Sequence, residues 1–92
     1  MAYMLIIKDP SRSIESFEKV LAEVGGNPEC LIARFAGEAD GALHVVSVWD
    51  SKAEADVFFA ERLGPAMAKV LGSETAGNPQ RTELEVENTY LR

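Results

Sequence analysis

Between Tyr3 and Leu91 the apolar residues switch repeatedly between a strand-like and a helix-like period, and the order of those switches restricts the fold more than any single motif. Tyr3–Ile7 is a continuous apolar run closed by Lys8-Asp9-Pro10, the mark of a short strand buried on both faces. Ile14, Phe17, Leu21 and Val24 then recur at every third or fourth residue, which predicts an amphipathic helix capped by Ser11 or Ser13 and ended by Gly25-Gly26-Asn27-Pro28. Cys30–Ala36 and Ala42–Trp49 read as strands, joined through a loop over Gly37–Gly41 in which Asp40-Gly41 suits a tight antiparallel turn. A second helix begins at Ser51, whose hydroxyl can accept from the Glu54 N–H while the Glu54 carboxylate reaches back to the Ser51 N–H. Val57, Ala60 and Met67 are expected on its inner stripe, with a kink or restart at Gly64-Pro65 because Pro65 has no amide hydrogen. Gly72–Pro79 reads as a surface loop. Arg81–Leu91 reads as a last strand, with Leu84, Val86 and Tyr90 alternating with Glu83, Glu85, Glu87 and Thr89. Strand, helix, strand, strand, helix, strand is the ferredoxin-like β-α-β-β-α-β sandwich, an α+β class with a four-stranded antiparallel sheet.

At 92 residues the chain is expected to form a single domain over 1–92, and 47% hydrophobic with 26% charged residues excludes disordered and disulfide-scaffold classes. A domain this small buries only about two-thirds of the surface its unfolded chain exposes, so a homodimer is expected. The lone thiol, Cys30, cannot form an intrachain disulfide, and with one histidine it cannot build a structural zinc site. That composition points to a reducing, cytoplasmic location. The apolar opening from Met1 to Lys8 lacks a basic leader and a small-residue cleavage pattern and reads as a strand. No stretch reaches the roughly 20 apolar residues a membrane span requires, and a net charge of -6 disfavours nucleic acid and anionic lipid as partners.

Val48-Trp49-Asp50-Ser51, closing a strand and opening a helix, together with Phe58-Phe59-Ala60-Glu61-Arg62-Leu63-Gly64-Pro65, resembles the dimeric α+β barrel superfamily, nearest to its antibiotic biosynthesis monooxygenase-like proteins. The resemblance covers nearly the whole chain in element order, with sharp matches only from about Leu43 to Pro65. It implies a dimeric α+β barrel, in which two four-stranded sheets pack face to face with helices outside and a pocket lies between helices and sheet. It also implies chemistry without metal, flavin or nicotinamide, and the sequence has no Gly-rich phosphate loop and no cluster with metal-ligand spacing. The expected function is a cofactor-independent monooxygenase-like protein binding a small aromatic or apolar metabolite. The alternatives are a polyketide cyclase or isomerase, or a non-catalytic binding or structural dimer.

Trp49 matches the strand-end tryptophan of that family and shares a strand face with Ser47, Val45 and Leu43; it is a candidate for lining a pocket or for sealing the sheet against the second helix. Ser47, Phe58 and Arg34 join it as candidate ligand contacts. The candidate catalytic groups are Trp49, His44, the only histidine, which faces the other way with Val46 and Val48, and Tyr90. Where the antibiotic-pathway branch carries an asparagine on the tryptophan's strand face, this chain has Val45. The haem-degrading branch carries an asparagine on the first strand and a tryptophan and histidine on the second helix. All three are missing here, so no haem ligand is expected.

Overall fold

The computed structural model describes residues 2–72 and 79–92. Strand β1 (Tyr3–Asp9) leads to helix α1 (Ile14–Val24), then to strands β2 (Leu31–Ala39) and β3 (Ala42–Trp49). A continuous second helix follows, made of α2 (Lys52–Phe58), a π-helical turn (Phe59–Leu63) and α3 (Gly64–Leu71), and strand β4 (Gln80–Glu85) closes the chain. The sheet order is β2-β3-β1-β4 with every neighbouring pair antiparallel, so the expected β-α-β-β-α-β ferredoxin-like fold is present.

Local chemistry explains the element boundaries. Of the two serines considered, Ser13 caps α1: its side chain accepts from the Ser16 N–H, and Ser16 closes a capping box. Gly25 ends the helix at φ 90, where only glycine is at ease, and donates its N–H to the Leu21 carbonyl at 3.1 Å. Asp40 and Gly41 both have positive φ, 54 and 75, as a tight two-residue hairpin turn demands, and this lets β2 continue to Ala39 through residues the sequence assigned to a loop. At Ser51 the hydroxyl accepts from the Glu54 N–H at 3.2 Å and donates to Glu54 Oε2 at 3.0 Å, so the return bond of the cap runs between side chains.

The second helix differs from the expected stripe. Ala55, Phe58 and Ala66 are its buried residues, whereas Val57 is 55% exposed and Ala60 faces solvent. The cause is its phase: Ala55 and Phe58, three apart, point at the sheet, and Val57 is rotated about 100° per residue from Phe58. The restart expected at Gly64-Pro65 is present, since α3 begins at Gly64 with Pro65 in its first turn; before it the helix widens over Phe59–Leu63, and the Gly64 N–H bonds to the Phe59 carbonyl five residues back. The wider turn absorbs the bond that Pro65 cannot donate. β4 is also shorter than expected. Its last ladder pair is Glu85 with Tyr3, and after the Val86 N–H bonds to the Ala2 carbonyl at 2.8 Å, β1 offers no further partner. The loop expected over Gly72–Pro79 lies mostly outside the described residues.

The pleat sorts each strand between two faces. Tyr3, Leu5, Ile7 and Asp9 of β1 and Leu43, Val45, Ser47 and Trp49 of β3 point toward the helices. On the opposite face the register aligns Phe35, Val46 and Ile6 in one row and Ala33, Val48, Met4 and Leu84 in the next. Phe35 is 67% and Leu84 40% exposed there, an apolar surface unusual for a wetted sheet. A Cβ built on Gly64 would lie 3.0 Å from the Phe59 carbonyl oxygen, a backbone atom with little room to retreat. Gly64→Ala is therefore expected to destabilise the protein by about 1 to 3 kcal/mol, read as a lowered midpoint in urea or thermal unfolding.

Candidate functional site

Trp49 ends β3 with its ring turned toward the second helix and is only 2% exposed. A buried indole N–H must find an acceptor, and Trp49 Nε1 donates to Ser47 Oγ at 2.9 Å, two residues back on the same strand face. Phe58 and Phe59, at the junction of α2 and the π turn, each bring a ring to 5.3 Å from the indole and stand 5.9 Å from one another. These tilted and edge-on contacts suit the quadrupoles of aromatic rings.

Beside this cluster, between the sheet and the two helices, lies a cavity of about 150 Å³. Leu5, Ile7, Val20, Leu43, Val45 and Met67 form much of its apolar wall, with Trp49, Phe58 and Phe59 at one side. Its polar lining comes from Ser47 and Arg34 on the sheet and from Asp9, Arg12 and Ser16 around the β1–α1 connection. Asp9 is buried and committed to that connection, since its Oδ1 accepts from the Ser11 N–H at 2.9 Å and the Ser11 hydroxyl at 2.6 Å. Arg12 Nε stands 4.0 Å from Asp9 Oδ2. Arg34 donates from Nη1 to Asn27 Oδ1 at 2.9 Å, and its guanidinium carbon lies 5.9 Å from the centre of the Phe17 ring.

Four residues singled out from the sequence, Trp49, Ser47, Phe58 and Arg34, thus line one cavity. His44 and Tyr90 are not among its lining. His44 sits on the opposite sheet face with Nε2 3.2 Å from the Ala39 carbonyl, and Tyr90 lies beyond β4, 86% exposed. Sequence reasoning missed Asp9 and Arg12, reading the segment around them as a turn. The available signal was the strand alternation that puts Asp9 in line with Leu5 and Ile7. Also unforeseen was Arg62, which reaches across to donate to the Val24 and Gly26 carbonyls at 3.1 and 3.2 Å and ties the π turn to the end of α1.

A polar cluster lies at the β1–β4 border. The Tyr3 hydroxyl donates to Glu83 Oε1 at 2.5 Å, and Lys52 Nζ stands 3.5 Å from the same oxygen and 3.0 Å from Asp56 Oδ2. Burial first, and then the Glu83 carboxylate, raise the Tyr3 phenol above 10.0, while the hydrogen bond from Tyr3 is the main cause that lowers Glu83. Among the described residues, no group of three metal-binding side chains gathers and no helix is long and apolar enough to cross a membrane.

By sequence, no protein-family model and no curated protein matches this chain. By structure, its neighbours are antibiotic biosynthesis monooxygenase-like proteins. One, from Chloroflexus aurantiacus and provisionally described as an antibiotic biosynthesis monooxygenase, superposes with TM-score 0.72 at 16% identity over 98% of this chain and 97% of its own. A variant of SnoaB, a cofactor-independent oxygenase from Streptomyces nogalater, gives 0.68 at 10% identity over 96% and 95%. The monooxygenase from the ActVA-Orf6 gene of Streptomyces coelicolor, in complex with nanaomycin D, gives 0.67 at 14% identity over 99% and 92%. At these identities the likeness establishes a shared fold, and the chemistry must be argued from the cavity.

The Tyr3 environment has a measurable consequence. With Tyr90→Phe leaving Tyr3 as the sole phenol, absorbance titration is expected to give a midpoint above 10.0, moved downward by Glu83→Gln. Because the neutral phenol is favoured by the fold, its contribution to stability is full below the unfolded value near 10 and is lost as pH rises through the folded value.

Proposed function

We propose that this protein binds a small aromatic metabolite in the cavity beside Trp49 and oxygenates it without a cofactor, working as a homodimer. The observation that carries the reading is the apolar cavity of about 150 Å³ in this fold, a size that holds a single benzene-like ring. The neighbouring cofactor-independent oxygenase of the same fold supports the reaction class. A reducing, cytoplasmic setting belongs to this reading and rests on the lone thiol of Cys30.

Such chemistry places the electron source in the substrate. An ionised hydroquinone gives an electron to dioxygen, and the resulting radical pair joins by a new carbon–oxygen bond. The peroxide O–O bond then breaks, leaving one oxygen on the ring and the other in water. The sum is hydroquinone plus O2 to hydroxyquinone plus water, with all four electrons drawn from the substrate. The protein's part is to hold the ring among Leu5, Val45 and Trp49 in a dry, low-dielectric space and to stabilise the anion. A second reading, binding without turnover, is favoured by Asp9, the carboxylate on the cavity lining: its Oδ1 is engaged by Ser11 and its Oδ2 lies 4.0 Å from Arg12 Nε, so both oxygens face the β1–α1 connection.

The partner of the dimer is a second copy seated on the apolar rows that include Phe35, Val46, Val48 and Met4, as in the barrel arrangement expected from the sequence. Covering a side chain such as Phe35 contributes about 1.5 to 3 kcal/mol. Analytical ultracentrifugation is expected to give twice the 10.0 kDa chain mass, and Phe35→Glu to give the monomer; a wild-type monomer at every concentration refutes the assembly.

Turnover is checked with hydroquinone under isotopic dioxygen. Uptake above the uncatalysed rate, with one labelled oxygen in the product, supports the oxygenase. Quenching of the lone tryptophan, Trp49, without uptake leaves the binding reading in its place.

A further inference from the structure

Arg34 stands directly opposite Ser47 in the β2–β3 ladder, on the face that looks into the cavity. Side chains so paired have Cβ atoms about 5 Å apart, so both donors spring from neighbouring points on the cavity wall, the guanidinium reaching on toward Asn27 and Phe17. Ser47 is 5% exposed, and its oxygen already accepts the Trp49 indole N–H. Its own hydroxyl proton is therefore what it has to offer, and the bond it accepts polarises that proton further.

Arg34 is half-buried, and among the described residues no carboxylate lies within ion-pair distance of it. Arg34 instead meets the neutral amide of Asn27 and the face of Phe17. Of the carboxylates on the same sheet face, Glu83, two strands from Ser47 in its own row, accepts the Tyr3 hydroxyl and stands by Lys52, Asp9 stands by Arg12, and Glu38 accepts the Ile14 N–H at 2.8 Å. Asp9 and Glu38 lie in the Leu43 row, four residues from the Ser47 row and so about 13 Å along the strands, and Glu83 is about 10 Å across the sheet from Ser47. A cation held beside an apolar cavity with no acid at ion-pair distance among the described residues favours an anion there, and a planar guanidinium suits a carboxylate.

We propose that Arg34 and Ser47 form an anion subsite, and that the ligand is a single-ring aromatic acid whose ring fills the cavity and whose charged oxygen meets these two donors. The inference rests on the reading of the cavity as a ligand site, and it adds the charge the ligand must carry.

Benzoate, its neutral isostere benzamide, and toluene serve as probes, with binding followed by calorimetry and by Trp49 fluorescence on the full chain. Wild type is expected to bind benzoate at least tenfold more tightly than benzamide, with affinity falling as ionic strength rises. Arg34→Met is expected to lose at least tenfold for benzoate and to bind toluene as wild type does, and Arg34→Lys to recover part of the loss. Equal binding of benzoate and benzamide by wild type overturns the anion subsite whether or not the variants fold. Toluene binding in that case leaves the cavity reading standing. If wild type binds none of the three, the cavity reading and the subsite fail together.

Discussion

Three large rings at one end of the sheet decide how closely the second helix can approach it. Trp49 is held by its bond to Ser47, and Phe58 and Phe59 pack against it from the helix. Side chains of that size stand the helix off, and the shorter residues farther along, Val20, Leu43 and Val45, do not fill the space left behind. The cavity is thus a consequence of uneven side-chain size across one helix–sheet layer. The same bond that satisfies the buried indole also orients Ser47, a residue of the cavity wall.

The wider turn over Phe59–Leu63 belongs to this arrangement. It lets two consecutive phenylalanines reach the indole, relieves the missing donor of Pro65, and brings Arg62 to the Val24 and Gly26 carbonyls. The end of α1 and the middle of the second helix are fastened together as a result. Charge is sorted along the sheet in a comparable way. Asp9 with Arg12 and Glu83 with Lys52 are matched, whereas Arg34 faces the cavity without an acid beside it among the described residues.

Much of this could be read before any coordinates. Caps and turns are local: Ser13, Gly25, Asp40-Gly41 and Ser51 act on backbone groups within a few residues, so their effect is carried by short stretches of sequence. Strand parity likewise put Trp49 with Ser47 and His44 with Val46. Reading the second helix as one uniform period misplaced Val57 and Ala60 on its inner face, because the phase there is set by which residues meet the sheet. Reading β4 to Leu91 failed for a similar reason: alternation continues past Glu85, but hydrogen bonding requires a partner strand, and β1 begins at Tyr3. Tyr90, alternating correctly, consequently lies in solvent.

By itself the sequence determined the order of elements, their caps and the two faces of each strand, since these depend on covalent neighbours and on periods of two and 3.6 residues. Tertiary structure alone decided that Arg34 stands against Ser47, that Asp9 and Arg12 border the same cavity, and that Tyr90 does not. Those placements depend on ladder register and on the distance between layers, which are set by contacts between residues far apart in the chain.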